Sequence, residues 1–290
     1  MWLLLFIFFD ILFVQWFLSG FSLLGQFFIV CGYLISLQWG SEKTGDMRLS
    51  KIRALNIWKY VSGVSERKWQ EPDLILTHSK GPRLFIVAPN LTGWSMFWIF
   101  GFHGDKVLYE SDVVYALPPL LFYIPILREI LLMSGAIAQT ESTIKNLISH
   151  RRSVAMCPYG LKGAAYKQDS TALRTNGLPK YLIQPCSIYR AMLIPCIIWG
   201  EANRFPRIRV RSKKVQQGLN IVQAICLRKL EYPFPNMYWV RFRENMALQT
   251  GDCMDIEQCP KKDDVRNKFH EHWRKVGNSM EGIHMEIIAD

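Results

Sequence analysis

A long hydrophobic stretch without basic residues occupies the first positions of the chain. Met1 to Trp39 contains no Lys or Arg, and Asp10 is its only acidic residue. About 20 residues cross the hydrocarbon core of a bilayer, so this stretch is too long for one perpendicular span. Ser19-Gly20 offers a turn near its middle. The pattern predicts two helices, 2–18 and 21–38, that form a hydrophobic hairpin, with one long tilted span as the alternative.

Basic residues follow this stretch directly, at Lys43, Arg48, Lys51 and Arg53. Positive residues mark the cytosolic flank of a membrane segment. We therefore expect a membrane-anchoring hairpin at 1–40 and a cytosolic domain at 41–290.

Short apolar runs alternate with helical patterns in the rest of the chain. Strands are predicted at Leu84–Ala88, Val154–Cys157 and Met192–Trp199, and helices at Glu141–His150, Tyr181–Tyr189, Asn220–Leu230 and Val265–Val276. Strands separated by helices predict an α/β fold, in which helices flank a mainly parallel sheet. Leu120–Met133 is apolar and is broken at Pro125, and the apolar run Trp94–Phe102 is expected to enter or lie on the membrane.

Composition and charge favour a membrane partner. Half of the residues are hydrophobic, and the formal net charge is +11. A basic surface attracts anionic lipid headgroups or nucleic acid. The sequence has no zinc-finger spacing, no aromatic RNA-binding motif and no dense Lys/Arg block, so we expect a membrane and not nucleic acid.

The seven cysteines predict reduced thiols facing the cytosol. Their number is odd, no CxxC is present, and most lie in apolar runs. Cys157 is either a thiol nucleophile or, as is common for free cysteine, a small core residue. The six histidines show no ligand spacing with cysteines or carboxylates, so no metal site is predicted.

Three blocks follow one another in an order and at a spacing typical of one protein family. Ile124–Gly135 reads Ile-Pro-Ile-Leu-Arg-Glu-Ile-Leu-Leu-Met-Ser-Gly and is similar to the family segment Pro-Val-Leu-Arg-Glu-Tyr-Leu-Met-Ser-Gly. Thr143–Leu147 follows at the family's distance. Ile194-Pro195 and Trp199-Gly200-Glu201 keep the spacing of its Val-Pro…Phe-Gly-Glu motif. Over residues 55 to 275 the chain thus resembles the diacylglycerol acyltransferase type 2 family.

The resemblance implies a fold, an activity and a location. The family has an α/β acyltransferase fold and transfers an acyl group from acyl-CoA to the hydroxyl of a glycerolipid or related lipid alcohol, as in triacylglycerol synthesis. Acyl-CoA is the co-substrate, and no further cofactor is expected. The implied location is the endoplasmic reticulum membrane, with the bulk of the chain in the cytosol, or lipid droplets.

The family's catalytic histidine is absent from this chain. The family carries the base as the second histidine of His-Pro-His-Gly, where this chain reads Ala88-Pro89-Asn90-Leu91. The family also places an acidic residue after a Pro-Gly-Gly turn, near Gly163 here. An amide does not take up protons near neutral pH, so Asn90 cannot replace the base. General-base catalysis contributes roughly 10²–10⁴-fold.

Other residues are candidates for the missing base and for substrate binding. His103, in Gly101–Gly104, is the nearest histidine and is either a displaced base or a surface loop residue. Arg128, Lys162 and Arg190 are candidates for binding the phosphates of coenzyme A or a lipid headgroup, with structural or interfacial roles as the alternative. Glu201 matches a family position and is either a site residue or part of a structural salt bridge.

Two functions of different classes remain open from the sequence. One is an acyl-CoA-dependent O-acyltransferase with a displaced base. The other is a non-catalytic descendant that binds acyl-CoA or lipid, or scaffolds a lipid enzyme. The acceptor alcohol, the acyl length and the oligomeric state are not indicated.

Overall fold

A computed structural model describes residues 2–38, 41–44, 64–68, 81–88, 96, 100, 113–157, 172–175, 178–200, 215, 217, 218, 221, 246–256, 262–278 and 284–287. The helices of eight or more residues and one short helix within these ranges are α1 (Trp2–Ser19), α2 (Leu23–Gln38), α3 (Ser41–Thr44), α4 (Pro125–Met133), α5 (Glu141–Ser149), α6 (Lys180–Ile188) and α7 (Lys262–Asn278). A 3-10 helix, Pro119–Tyr123, precedes α4. The strands are β1 (Val64–Lys68), β2 (Arg83–Ala88), β3 (Val114–Leu117), β4 (Ala136–Ala138), β5 (Val154–Met156), β6 (Ala172–Thr175), β7 (Met192–Trp199), β8 (Met246–Thr250), β9 (Met254–Asp255) and β10 (His284–Ile287).

Two separate helices form in the hydrophobic stretch, and they lie where the sequence predicts them. A turn joins α1 to α2, in which the Phe21 amide donates to the Leu18 carbonyl at 2.9 Å. A single continuous helix is therefore not formed. No helix within the described ranges is both long enough and apolar enough to cross a membrane. The membrane attachment that the sequence predicts for these two helices stays a prediction.

The main sheet has parallel strands at its centre. Its order is β1-β8-β7-β2-β5-β3-β4, and β9 pairs with β7 in addition. The strands β7, β2, β5, β3 and β4 pair in parallel, whereas β8 and β9 run antiparallel to β7. A separate parallel pair is formed by β6 and β10. The predicted class, a mainly parallel sheet flanked by helices, is confirmed.

The central strands bury both of their faces, which explains their continuous hydrophobic runs. Alternate residues of β2 belong to two different cores. Phe85 and Val87 pack on the face covered by α4 and the 3-10 helix, and Leu84 and Ile86 on the face covered by α5, α6 and α7. Successive side chains of a strand point to opposite faces, so one apolar run supplies both cores.

Pro195 is accommodated in the interior of β7 by a break in the neighbouring antiparallel pairing. The pairing of β7 with β8 ends at Cys196 opposite Thr250, and the pairing with β9 resumes at Leu193 opposite Met254. Pro195 lies opposite this break, where its missing N–H is not required by a ladder. Its carbonyl accepts a hydrogen bond from the Gly251 amide at 2.8 Å.

Most predicted elements fall within the described residues and agree with the structure. The strand Met192–Trp199 has the predicted bounds. Thr140 caps α5, and its Oγ1 accepts a hydrogen bond from the Thr143 amide at 3.2 Å. Pro125 begins α4. The first position of a helix tolerates proline, because a backbone N–H there would have no partner within the helix. The helix predicted at Asn220–Leu230 lies outside the described residues except at Ile221, which is helical.

One prediction fails within the run Trp94–Phe102. Met96 and Phe100 are the two described residues of this run, and both are buried in the core. The Phe100 ring lies 6.2 Å from the ring of Phe85 on β2. At these two positions the expected membrane contact is wrong, because their apolar character serves the interior of the domain.

Candidate functional site

The order in which the chain adds strands to the sheet reverses at β2. From β2 the chain builds β3, β4 and β5 on one side, and then crosses to β7 on the other side. In open α/β sheets, ligands bind outside the carboxyl ends of the strands at such a switch point. The carboxyl ends of β2, β5 and β7 therefore define the candidate site, which we call the carboxyl edge.

Gln139 joins three strand ends at this edge. Its backbone N–H donates to the Leu117 carbonyl at the end of β3, at 2.7 Å. Its side-chain Nε2 donates to the Cys157 carbonyl at the end of β5, at 2.6 Å. Cys157 directly precedes Pro158-Tyr159-Gly160 in sequence. Gln139 thereby fixes the backbone of Cys157, directly before this segment.

Arg128 lies in the first turn of α4, shortly after the carboxyl end of β3. Its side chain is only 3% exposed. Its Nη1 donates to Glu129 Oε1 at 2.5 Å, and its Nη2 lies 3.4 Å from Glu42 Oε2 on α3. The guanidinium thus holds two carboxylates, one from its own helix and one from the N-terminal segment.

Arg190 lies at the opposite edge of the sheet. It precedes β7, whose first residue, Met192, pairs with Arg83 at the start of β2. The six residues of β2 separate this amino edge from the carboxyl edge by about 20 Å at the usual strand rise. The structure therefore does not bring Arg190 together with Arg128, although the sequence pairs both as substrate-binding candidates.

Arg190 belongs to a row of left-handed residues along the amino edge. The backbone angle φ is 53° at Arg190, 123° at Gly81 and 57° at Arg151. Each of them lies three positions before a strand residue, namely Leu193, Leu84 and Val154. Leu84 pairs with both of the other two across the sheet. Arg151 and Arg190 stand just after α5 and α6, where glycine is usual. A Cβ on Gly81 would lie 2.4 Å from the Arg190 carbonyl oxygen. Both arginines follow the C-terminal end of a helix, where a positive charge interacts favourably with the helix dipole.

Several predicted site residues lie outside the described residues. These are Asn90, His103, Lys162, Gly163 and Glu201. Their roles stay predictions. Asn90 follows Ala88, the last residue of β2, by two positions, and Glu201 follows Trp199, the last residue of β7, by two positions.

Cys157 is a buried residue of the core, with 1% of its surface exposed. This burial agrees with its interpretation as a small core residue. Cys31, Cys157, Cys186, Cys196 and Cys253 form no disulfide within the described part of the chain. Cys226 and Cys259 lie outside the described residues. Among the residues described, no group of three or more His, Cys, Asp or Glu could hold a metal ion.

Two residues with a place at the site were not found from the sequence. Glu42 follows the hydrophobic stretch and is 86 positions from Arg128, so no local pattern connects them. Gln139 is a polar residue directly after a buried strand. The rule that ligands bind at the carboxyl ends of parallel strands offered a signal for Gln139.

Comparisons with known proteins give one distant relative by sequence. No protein-family model matches the chain. The chain is 24% identical, over 190 residues, to acyl-CoA wax alcohol acyltransferase 2 of Homo sapiens. The matched region covers 59% of this chain and 53% of that protein. The chain therefore spans about half the length of the curated relative it matches. Among solved structures it is similar to the 1-acyl-sn-glycerophosphate acyltransferase PlsC of Thermotoga maritima, with a TM-score of 0.48 and 9% identity over 80% of this chain and 79% of that one.

Proposed function

We propose that this protein is an acyl-CoA-dependent O-acyltransferase of lipid alcohols, related to the diacylglycerol acyltransferase type 2 family. One structural observation carries the proposal. Three segments that the family resemblance singles out, far apart in sequence, begin or end at the carboxyl edge. Arg128 lies in the first turn of α4, Ala88 ends β2 two positions before Asn90, and Trp199 ends β7 two positions before Glu201. The distant likeness to a wax alcohol acyltransferase supports the same class.

The reaction places defined demands on this edge. The acceptor hydroxyl attacks the thioester carbon of acyl-CoA, its proton passes to a base, and coenzyme A leaves as the thiol while an ester forms. In the proposed site Arg128 and Lys162 bind phosphates of coenzyme A, and Glu201 contributes to substrate binding. His103 is the proposed base, because Asn90 does not take up a proton.

A membrane location accompanies this activity in the proposal. Among the described side chains, α1, α2 and the turn between them expose eleven large hydrophobic residues, namely Ile11, Leu12, Phe13, Trp16, Phe17, Phe21, Leu23, Leu24, Phe27, Phe28 and Val30. Exposed apolar surface of this extent is typical of a membrane or protein contact. We propose that it attaches the protein to the endoplasmic reticulum membrane or to lipid droplets, where water-insoluble acceptors reside.

A second candidate function rests on the replacement of the family's histidine by Asn90. In that case the protein binds acyl-CoA or lipid, or scaffolds a lipid enzyme, without transferring the acyl group. An acyl-transfer assay on the purified full-length protein separates the two. Labelled palmitoyl-CoA is supplied with diacylglycerol, monoacylglycerol or a long-chain alcohol, and the ester products are resolved. A labelled ester that depends on the protein supports the transferase. Binding of palmitoyl-CoA without any ester from this panel supports the non-catalytic candidate.

A further inference from the structure

We propose that Glu42 occupies the anion-binding position of Arg128 and competes there with the phosphates of acyl-CoA. This inference rests on the proposed function, because it concerns access to the same site. It makes the N-terminal segment a regulator of substrate binding.

The side chain of Arg128 is buried. Only 3% of its side chain is exposed, so a phosphate cannot reach the guanidinium while its present partners remain. Carboxylates and phosphates bind a guanidinium in the same way, through parallel charge-assisted hydrogen bonds. A phosphate could therefore take the place of a carboxylate without leaving a buried charge uncompensated.

The two carboxylates that hold Arg128 differ in how easily they can leave. Glu129 is adjacent to Arg128 on α4, and the pair is tight at 2.5 Å. Glu42 lies at 3.4 Å, beyond the usual 2.7–2.9 Å of a charge-assisted hydrogen bond. Glu42 is therefore the looser partner and the exchangeable one.

The element that carries Glu42 is also the less constrained. α3 has four residues, which is too short to be stable as an isolated helix. It packs against β4 and α5. Two residues separate it from the end of α2 at Gln38, so a displacement of α2 shifts Glu42 relative to Arg128.

Glu42→Gln tests the competition because it removes the charge and keeps the shape of the side chain. Palmitoyl-CoA binding to the full-length protein in detergent micelles is measured by titration, with palmitate as the ligand that lacks phosphates. We expect Glu42→Gln to tighten palmitoyl-CoA binding by about ten-fold, within the usual range of coupling between sites, and to leave palmitate binding unchanged. Adding Arg128→Gln to this variant should abolish the gain.

Glu129→Gln is the matched control, because it neutralises the partner that stays beside Arg128. It should not tighten palmitoyl-CoA binding. A melting curve verifies that each variant is folded, and Glu42→Asp, which retracts the carboxylate by one methylene, provides a second variant with a smaller gain. Unchanged or weaker palmitoyl-CoA binding in both Glu42 variants would overturn the proposal. Ester formation is recorded separately, so tighter binding without transfer contradicts the transferase alone, and transfer without tighter binding contradicts the competition alone.

Discussion

The Nε2 atom of Gln139 lies 2.6 Å from the carbonyl oxygen of Cys157 and donates a hydrogen bond to it. The bond connects the residue after β4 to the residue after β5, across the end of β3 between them. It fixes the backbone of Cys157, directly before the segment Pro158-Tyr159-Gly160, which the proposed acyltransferase site includes.

Replacing Gln139 by Ala should lower both stability and substrate binding. The lost hydrogen bond costs about 1 kcal/mol of unfolding free energy. The segment after Cys157 loses its fixed start, so palmitoyl-CoA binding should weaken several-fold. Chemical denaturation and ligand titration measure the two effects. Ser149→Ala is the control, since it removes an exposed bond to the Asn146 carbonyl, and it should change neither quantity. Equal effects of the two substitutions would show that Gln139 has no particular place at the site.

Gly81→Ala should be strongly destabilising. Gly81 has φ 123°, and an added Cβ would lie 2.4 Å from the Arg190 carbonyl oxygen, a backbone atom that cannot rotate away. Strain and overpacking together predict a loss of about 3 kcal/mol. Gly218→Ala is the matched control, because no atom of the described residues lies within 4 Å of the added Cβ. Denaturant midpoints of the two variants measure the difference, and a Gly81→Ala midpoint near that of the wild type would contradict this description of the amino edge.

The buried thiols predict a loss of stability at alkaline pH. Burial raises the pKa of Cys186 to about 12, from an ordinary value of 9.0. The folded state therefore binds more protons than the unfolded state between these two values. The stabilising contribution of the neutral thiol is complete below about pH 9 and falls as the pH rises toward about 12. Unfolding free energies measured at pH 8 to 10.5 should decline, and less steeply in Cys186→Ala.

Cys196 contributes in the same direction, because its burial also raises the pKa of its thiol. Some pH dependence should thus persist in Cys186→Ala. A slope that does not change in Cys186→Ala would contradict this assignment.

Ester formation should depend on His103 and not on Asn90. We expect Asn90→Ala to leave the rate of ester formation within a few-fold, because an amide is not a base. His103→Ala should lower the rate by about 10²-fold or more, the size of a general-base contribution. Palmitoyl-CoA binding to each variant verifies that the site is retained. Complete loss of a strong activity in Asn90→Ala would assign the wrong roles to these two residues.

The sequence was most informative where one strand or helix is specified by its own pattern. The run Met192–Trp199 is apolar on both faces and was predicted with its bounds, because a central parallel strand requires such a run. Thr140 directly precedes the predicted helix Glu141–His150, where threonine is a favoured cap, and its Oγ1 accepts a hydrogen bond from the Thr143 amide.

The sequence did not predict contacts between residues that lie far apart in the chain. Trp94–Phe102 is apolar, and hydrophobicity alone does not distinguish a core contact, as at Met96 and Phe100, from a membrane contact. The Arg128–Glu42 pair joins residues 86 positions apart. The location of Arg190 at the amino edge follows from the parallel pairing of β7 with β2, which the sequence does not specify.

Mapping where acyl-CoA binds tests the central claim most directly. A palmitoyl-CoA analogue with a photoreactive acyl chain is irradiated with the full-length protein, and the labelled peptides are identified by mass spectrometry with excess palmitoyl-CoA as the competitor. The proposed site predicts competed labelling in the segments that follow β2, β5 and β7, after Ala88, Met156 and Trp199. Competed labelling confined to the amino edge, around Gly81, Arg151 and Arg190, would contradict it.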